Sequence, residues 1–429
     1  MYRTAIEDLK NWKKKTDRKP LIVRGARQVG KTWLVREFGK TCYEDMVYFN
    51  FEQDKQVAEC FEHDLNPERI LLRLSALAQK TIKPGSTLIF FDEIQECPLA
   101  LTALKYFNEN APEYHIVVAG SLLGVFSHDN VSFPVGQVDF LDVFPMSFEE
   151  FLIGSGKKVF AKGLREKDFE LLAPLNASLI ELMKLYMVTG GMPEVVHGYL
   201  DDKDIMNVRE RQNRILDTYY RDFSKHVSGG GAQKIAEIFN IIPEVLAKEN
   251  NKFMFGAIKP SARAREYATS LEWLVGAGLA TRVLRVNKIA LPLRPYANYG
   301  VFKLFSLDVG LLGCQAGLSP NAILSDAEDY REFKGVIAEQ FVLQEAKAHG
   351  VELFYYSKDD SRVEIDFIFN RDTEIIPVEV KSGSNLVSKS FNLFLEENKK
   401  IKLAYKLSRL PYKKNGRIVN LPLYFAGEM

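Results

Sequence analysis

Eight residues, Gly25-Ala26-Arg27-Gln28-Val29-Gly30-Lys31-Thr32, fit the pattern G-x-x-x-x-G-K-[ST]. Residues of these types at this spacing cradle phosphate. The glycines let backbone N–H groups turn inward, and a helix starting there adds the positive end of its dipole. Lys31 would reach the β- and γ-phosphates and Thr32 would hold Mg²⁺. Gly25, Arg27, Gln28, Val29, Gly30, Lys31 and Thr32 are therefore candidate nucleotide contacts, with ATP and Mg²⁺ as the expected ligands.

A second set follows at Leu88-Ile89-Phe90-Phe91-Asp92-Glu93, four apolar residues and two acids. A buried strand here delivers Asp92 towards Mg²⁺ and Glu93 towards the attacking water. Alone, an Asp-Glu pair at a strand end is as readily a helix cap. Its place after the phosphate loop, with one strand between, gives it meaning. Val117-Val118-Ala119-Gly120-Ser121 is the next strand. If it lies between the other two, Ser121 is a candidate sensor of the γ-phosphate or the water. The bland reading is a Gly-Ser turn.

A third set lies near the C-terminus. Glu379-Val380-Lys381 closes the apolar strand Ile375-Ile376-Pro377-Val378. Asp366 sits in the alternating strand before it, and Glu339 on the preceding helix. An acid-x-Lys tripeptide by itself is uninformative, since it recurs at Asp8–Lys10 and Glu397–Lys399. What singles out Glu379 and Lys381 is the buried strand end with an Asp-bearing neighbour. The bland reading is a strand-edge salt bridge.

These sets need elements to hold them. Strands are expected at 21–23, 47–51, 88–91, 116–119 and 138–141, with helical patterns between them. Such alternation means a parallel sheet covered on both faces. From about 148 to 228 the pattern is helical, broken at Thr189-Gly190-Gly191-Met192-Pro193, which reads as a hinge. Gly229-Gly230-Gly231 reads as a boundary, because three glycines join a helix at high cost. Residues 232–313 read as three helices and two strands, an order that fits a winged helix. The last segment reads as helix, three strands, then helix.

The chain of 429 residues is too long for one core. Its net charge of +1 argues neither for nor against nucleic acid, so only local patches can. Cys42, Cys60, Cys97 and Cys314 form no C-x-x-C pair. That suits a reducing cytoplasm and gives no zinc site. The histidines are dispersed. No apolar run reaches membrane-spanning length, and Glu7 and Asp8 do not suit a signal peptide. Residues 399–417 carry Lys399, Lys400, Lys402, Lys406, Arg409, Lys413, Lys414 and Arg417 with no acid, and interleave Tyr405 and Tyr412. Such a strip either tracks a phosphate backbone or is a solvated surface. Lys259, Arg263 and Arg265 open the third helix of the 232–313 segment, where a DNA-reading helix would present them. Arg211, Arg214 and Arg221 are candidates for the arginine that completes an ATPase site, or a solvated helix face.

Together the chain resembles the bacterial and archaeal AAA-type ATPases fused to a DUF4143-type C-terminal domain. The resemblance rests on Arg24 to Thr32, Phe91-Asp92-Glu93-Ile94-Gln95, Ala119-Gly120-Ser121, Phe144-Pro145-Met146-Ser147-Phe148-Glu149-Glu150-Phe151 and Gly190-Gly191-Met192-Pro193. The C-terminal set resembles the PD-(D/E)xK nuclease core. That likeness implies Asp366 and Glu379 as Mg²⁺ ligands, Lys381 as the group orienting water, and Glu339 as a further ligand or holder of a metal-bound water. The implied architecture is α/β and multidomain: a P-loop parallel-sheet ATPase core at 1–150, a helical lid at 151–228, a winged helix at 229–315 and a restriction-endonuclease-like α/β domain at 325–429. Two functions follow. One is an ATP-dependent enzyme acting on DNA or other nucleic acid through a Mg²⁺ nuclease. The other is a regulatory ATP switch whose C-terminal domain only grips a protein partner.

Overall fold

The computed structural model describes residues 2–121, 134–226, 230–248, 251–358, 363–384 and 386–429. It falls into two compact units. One comprises Arg3–Phe144 with Gly276–Gly278, and the other chiefly Pro145–Val275 and Leu279–Met429. The segments expected as lid, winged helix and C-terminal domain fall in the second unit, apart from Gly276–Gly278.

The first unit is built on five strands: β1 (Leu21–Gly25), β2 (Asp45–Asn50), β3 (Thr87–Asp92), β4 (His115–Ser121) and β5 (Asp139–Asp142). Their order is β2-β3-β4-β1-β5, and every pairing is parallel. All six residues of β3 are buried, which is why its sequence runs apolar without alternation. Phe51, Phe61 and Phe91 pack edge-on or tilted within 6 Å in one core cluster. Gly25 ends β1 because a Cβ there would lie 2.2 Å from the Val143 carbonyl oxygen.

The second unit holds eight strands: β6 (Ala280–Val286), β7 (Ala297–Ser306), β8 (Phe354–Ser357), β9 (Glu364–Arg371), β10 (Glu374–Val380), β11 (Ala404–Ser408), β12 (Lys413–Asn415) and β13 (Ile418–Pro422). Their order is β12-β13-β11-β10-β9-β8-β6-β7. β9 and β10 form an antiparallel hairpin. The Lys389–Glu397 helix then crosses over to β11, which pairs parallel to β10. β6 pairs parallel to β8. The two strands expected to close a winged helix therefore continue the C-terminal sheet. Sequence reasoning also missed β11, which lies inside the basic stretch.

The Thr189-Gly190-Gly191 break is a tie point rather than a loose hinge. Gly190 has φ +68°, and a Cβ there would lie 2.0 Å from Asp308 Oδ1. The Gly191 amide donates to Asp308 Oδ2 at 2.6 Å, and its carbonyl accepts from the Met146 amide at 2.6 Å. Tyr186 donates its hydroxyl to the Met146 carbonyl, and Gln344 reaches both Tyr186 and Asp308. The glycines are needed for close approach, since any side chain would strike these groups. Ser147 and Glu150 form a capping box that starts the next helix. The Phe148 amide beside it donates to Glu345 at 2.8 Å.

Burial pushes the Glu345 carboxyl up to about 7, against a partial offset from His349. A folded-state value above the unfolded one means that the folded chain holds the proton more tightly. The associated stability is full below the ordinary carboxyl value and is lost as pH rises towards 7. Glu345→Gln keeps the acceptor for Phe148 and removes the charge. Urea titrations of both proteins from pH 5 to pH 8 should show wild type losing up to about 3 kcal/mol relative to the variant. Parallel profiles would contradict an ionisable Glu345 in this buried site.

Candidate functional site

In the first unit, β1 ends at the phosphate loop and the Lys31–Cys42 helix begins directly after it. Gln28 at φ 65° and Gly30 at φ 91° turn the loop through left-handed backbone. Lys31 Nζ donates to the Gly25 and Ala26 carbonyls at 3.0 and 2.9 Å. Burial lowers its ammonium to about 8, with Glu93 and Asp92 pulling the other way. An anion in the loop would offer stronger partners than these carbonyls.

Thr32 Oγ1 donates to Asp92 Oδ2 at 2.9 Å, so the two expected Mg²⁺ contacts meet across β3 and the loop helix. Tyr48, on β2, donates to the same oxygen at 3.0 Å. Burial raises the Asp92 carboxyl, and Thr32 and Tyr48 oppose that rise. One hydroxyl and one carboxylate leave room for waters, the coordination that Mg²⁺ prefers. Glu93 follows in left-handed backbone at φ 52°, a conformation that costs a non-glycine residue about 1 kcal/mol. Gln95 Nε2 holds Glu93 Oε2 at 2.5 Å. β4 lies between β1 and β3, and Ser121 pairs with Gly25 at its tip. Sequence reasoning missed Tyr48 and Gln95. Gln95 lay within the quoted motif, but nothing in the sequence ties Tyr48 to Asp92.

In the second unit, the β9–β10 pairing runs to Val378 opposite Phe367, and carried one step further it would set Glu379 against Asp366. Residues opposite one another on antiparallel strands share a face and stand about 5 Å apart at Cβ. Asp366 Oδ2 accepts the Val380 amide at 2.7 Å. Burial raises the Asp366 carboxyl well above the usual range, and Glu379 and Glu339 add to the rise. Lys381 Nζ lies 2.7 Å from Glu379 Oε1. Two carboxylates on neighbouring strands suit Mg²⁺, which binds through one or two such groups and keeps its waters.

Glu339 stands near a lysine that its expected role as a ligand did not include. Its Oε2 lies 3.7 Å from Lys303 Nζ and 3.4 Å from Asn251 Nδ2. Among the described residues, Glu339, Asp366 and Glu379 are not a set whose ligand atoms all lie within 4.8 Å of one another. Glu149, His349 and Glu428 are such a set, but Glu149 is already paired with Arg165. Lys303 was invisible to sequence reasoning because it lies on β7, in the segment read as a separate winged helix.

The basic stretch is only partly free. Lys406 is buried and donates to the Leu386 carbonyl, while Arg409 grips Asp326. Arg417 caps the Leu395 and Ile401 carbonyls, and Tyr412 stacks on Phe169. Lys399, Lys400, Lys402, Lys413 and Lys414 lie at the surface to varying degrees, so the continuous basic strip does not survive. Arg263 and Arg265 are exposed at the start of the Ala264–Gly276 helix, and Lys259 is exposed just before it. Arg211 is committed to Asp202 at 2.6 Å and Arg214 to Glu210 at 3.1 Å, while Arg221 is exposed. Phe169–Thr189 is one stretch long and apolar enough on average to cross a membrane, a length the sequence reading did not anticipate. Leu179, Met183 and Tyr186 within it are buried in protein.

Comparison with known proteins finds three family matches. Residues 17–152 match an AAA domain, residues 180–322 a domain of unknown function (DUF8612), and residues 334–424 the domain of unknown function DUF4143. The chain thus carries an AAA domain at 17–152 and a DUF4143 domain at 334–424. Among curated proteins no relative matches. Distant structural likenesses include the Walker-type ATPase PABY2304 of Pyrococcus abyssi, at 14% identity and TM-score 0.45, covering 72% of this chain and 94% of that one. The ORC1 protein of Aeropyrum pernix, solved in complex with DNA, gives 14% and 0.28, covering 76% and 91%. Cdc6p of Pyrobaculum aerophilum gives 11% and 0.25, covering 74% and 91%.

The contact between Gln95 and Glu93 makes a specific demand on kinetics. Gln95→Ala should lower kcat for ATP hydrolysis about 10-fold and leave KM near its wild-type value, because orientation rather than binding is lost. An unchanged kcat would remove Gln95 from the site.

Proposed function

We propose that this protein hydrolyses ATP at the 25–32 loop and acts on nucleic acid through its C-terminal carboxylate site. The observation that carries the first part is the convergence of Thr32, Asp92 and Tyr48 beside a partly buried Lys31. In this reading Lys31 leaves the Gly25 and Ala26 carbonyls for the β- and γ-phosphates. The amides of Gly25, Arg27, Gln28, Val29 and Gly30 line the phosphates. Thr32 and Asp92 hold Mg²⁺, which neutralises charge on the phosphate oxygens. Glu93, oriented by Gln95, polarises the attacking water, and Ser121 senses the γ-phosphate.

The second part rests on Asp366 and Glu379 lying just beyond the Val378–Phe367 pair, where Asp366 accepts the Val380 amide, with Lys381 at the strand end. Asp366 and Glu379 would hold Mg²⁺, and Lys381 would orient water and offset phosphate charge. The helices Gly231–Leu246 and Ala264–Gly276 with the antiparallel pair β6 and β7 support a winged-helix reading of 229–315. Its exposed Arg263 and Arg265 would meet the DNA backbone. A regulatory switch with a non-cleaving, partner-binding C-terminal domain is the second reading. The ammonium of Lys303 beside Glu339 is the observation on its side.

The ATPase assignment is tested by two substitutions. Lys31→Ala should weaken ATP binding at least about 100-fold in calorimetry. Glu93→Gln should bind ATP like wild type and turn over at least about 100-fold more slowly. Equal hydrolysis by Glu93→Gln and wild type would refute the role given to Glu93.

A further inference from the structure

Lys303 lies on β7 with 1% of its surface exposed. Its Nζ stands 2.8 Å from Glu364 Oε1 and 3.7 Å from Glu339 Oε2, above the Tyr355 ring at 5.1 Å. Glu364 and Asp366 are two residues apart on β9 and so share a face of the strand. One ammonium thus sits inside an acidic cluster made by β9, β10 and the Phe333–Ala348 helix. It is covalently part of the chain and cannot exchange with solvent cations.

An ion ligated by Glu339 would bind at about 2.1 Å. It would share that carboxylate with the ammonium, a like charge 3.7 Å from Oε2. Lys381 also pairs with Glu379, at 2.7 Å through Oε1, but its side chain is 28% exposed and can turn out to solvent when an ion binds, which the buried Lys303 cannot. Among the described residues, the lack of a three-carboxylate set within 4.8 Å points the same way.

We propose that Lys303 is a permanent cation of the acidic cluster, holding Glu339 and Glu364 out of metal coordination and limiting the site to a single divalent ion on Asp366 and Glu379. This rests on reading Asp366 and Glu379 as Mg²⁺ ligands.

The test counts Mn²⁺ bound to the nucleotide-free full-length protein by electron paramagnetic resonance. Asp366→Asn is subtracted as background, which removes ions held at other clusters. Wild type should show one Asp366-dependent ion and Lys303→Met two. Glu364→Gln should keep one, because Glu364 is not a ligand. Two ions in wild type would overturn the inference alone, as would a folded Lys303→Met with an unchanged count or loss of the ion in Glu364→Gln. No ion in wild type but one in Lys303→Met would leave Lys303 as the permanent cation and sink the metal-site reading. No ion in either would sink both. Should Lys303→Met fail to fold by circular dichroism, the wild-type and Glu364→Gln counts decide.

Discussion

An ionised side chain taken out of water loses several kcal/mol of solvation, which opposite charge or hydrogen-bond donors must replace. This chain meets that demand at each of its sites. Lys31 rests on two carbonyls, and Asp92 accepts two hydroxyls. Asp308 is fully buried and accepts the Gly191 and Leu311 amides together with Gln344. Lys303 sits among acids from two further elements. Removing one partner leaves the other buried and uncompensated, so each group fixes the position of several chain segments at once.

The two candidate sites use the same construction. A buried strand carries an acid to its end, and a neighbouring segment supplies the group that holds it. In the first unit the strand is β3 and the holder is the helix after the phosphate loop. In the second the strand is β10 and the neighbour is β9. What differs is the stored cation. Lys31 is tied to weak, neutral acceptors that a nucleotide can replace. Lys303 is tied to carboxylates, which bind it far more strongly. The first arrangement suits ligand exchange and the second suits a fixed charge pattern.

Much of this was legible in the sequence where chemistry is local. The loop at 25–32, the acids at 92 and 93 and the strand ending at Glu379 each announce themselves within a few residues. The helix order after 148 follows from periodicity. What stayed hidden depends on partners far along the chain. Gly190-Gly191 reads as a hinge until Asp308, more than a hundred residues away, is placed against it. Arg409 reads as part of a basic strip until Asp326 claims it. Lys303 looks like one strand residue among many until β6 is seen to pair with β8. Composition carries no signal for such pairings, because one lysine or aspartate serves equally well on a solvated surface.

We propose that one chain couples an ATPase to a metal-dependent site acting on nucleic acid. This coupling is tested most directly by cleavage of single-stranded, duplex and branched DNA with Mg²⁺, with and without ATP, comparing wild type with Lys381→Ala. Wild type should cleave with Mg²⁺, and the variant should not. Cleavage that survives in Lys381→Ala, or no cleavage of any substrate under either condition, would contradict the proposal.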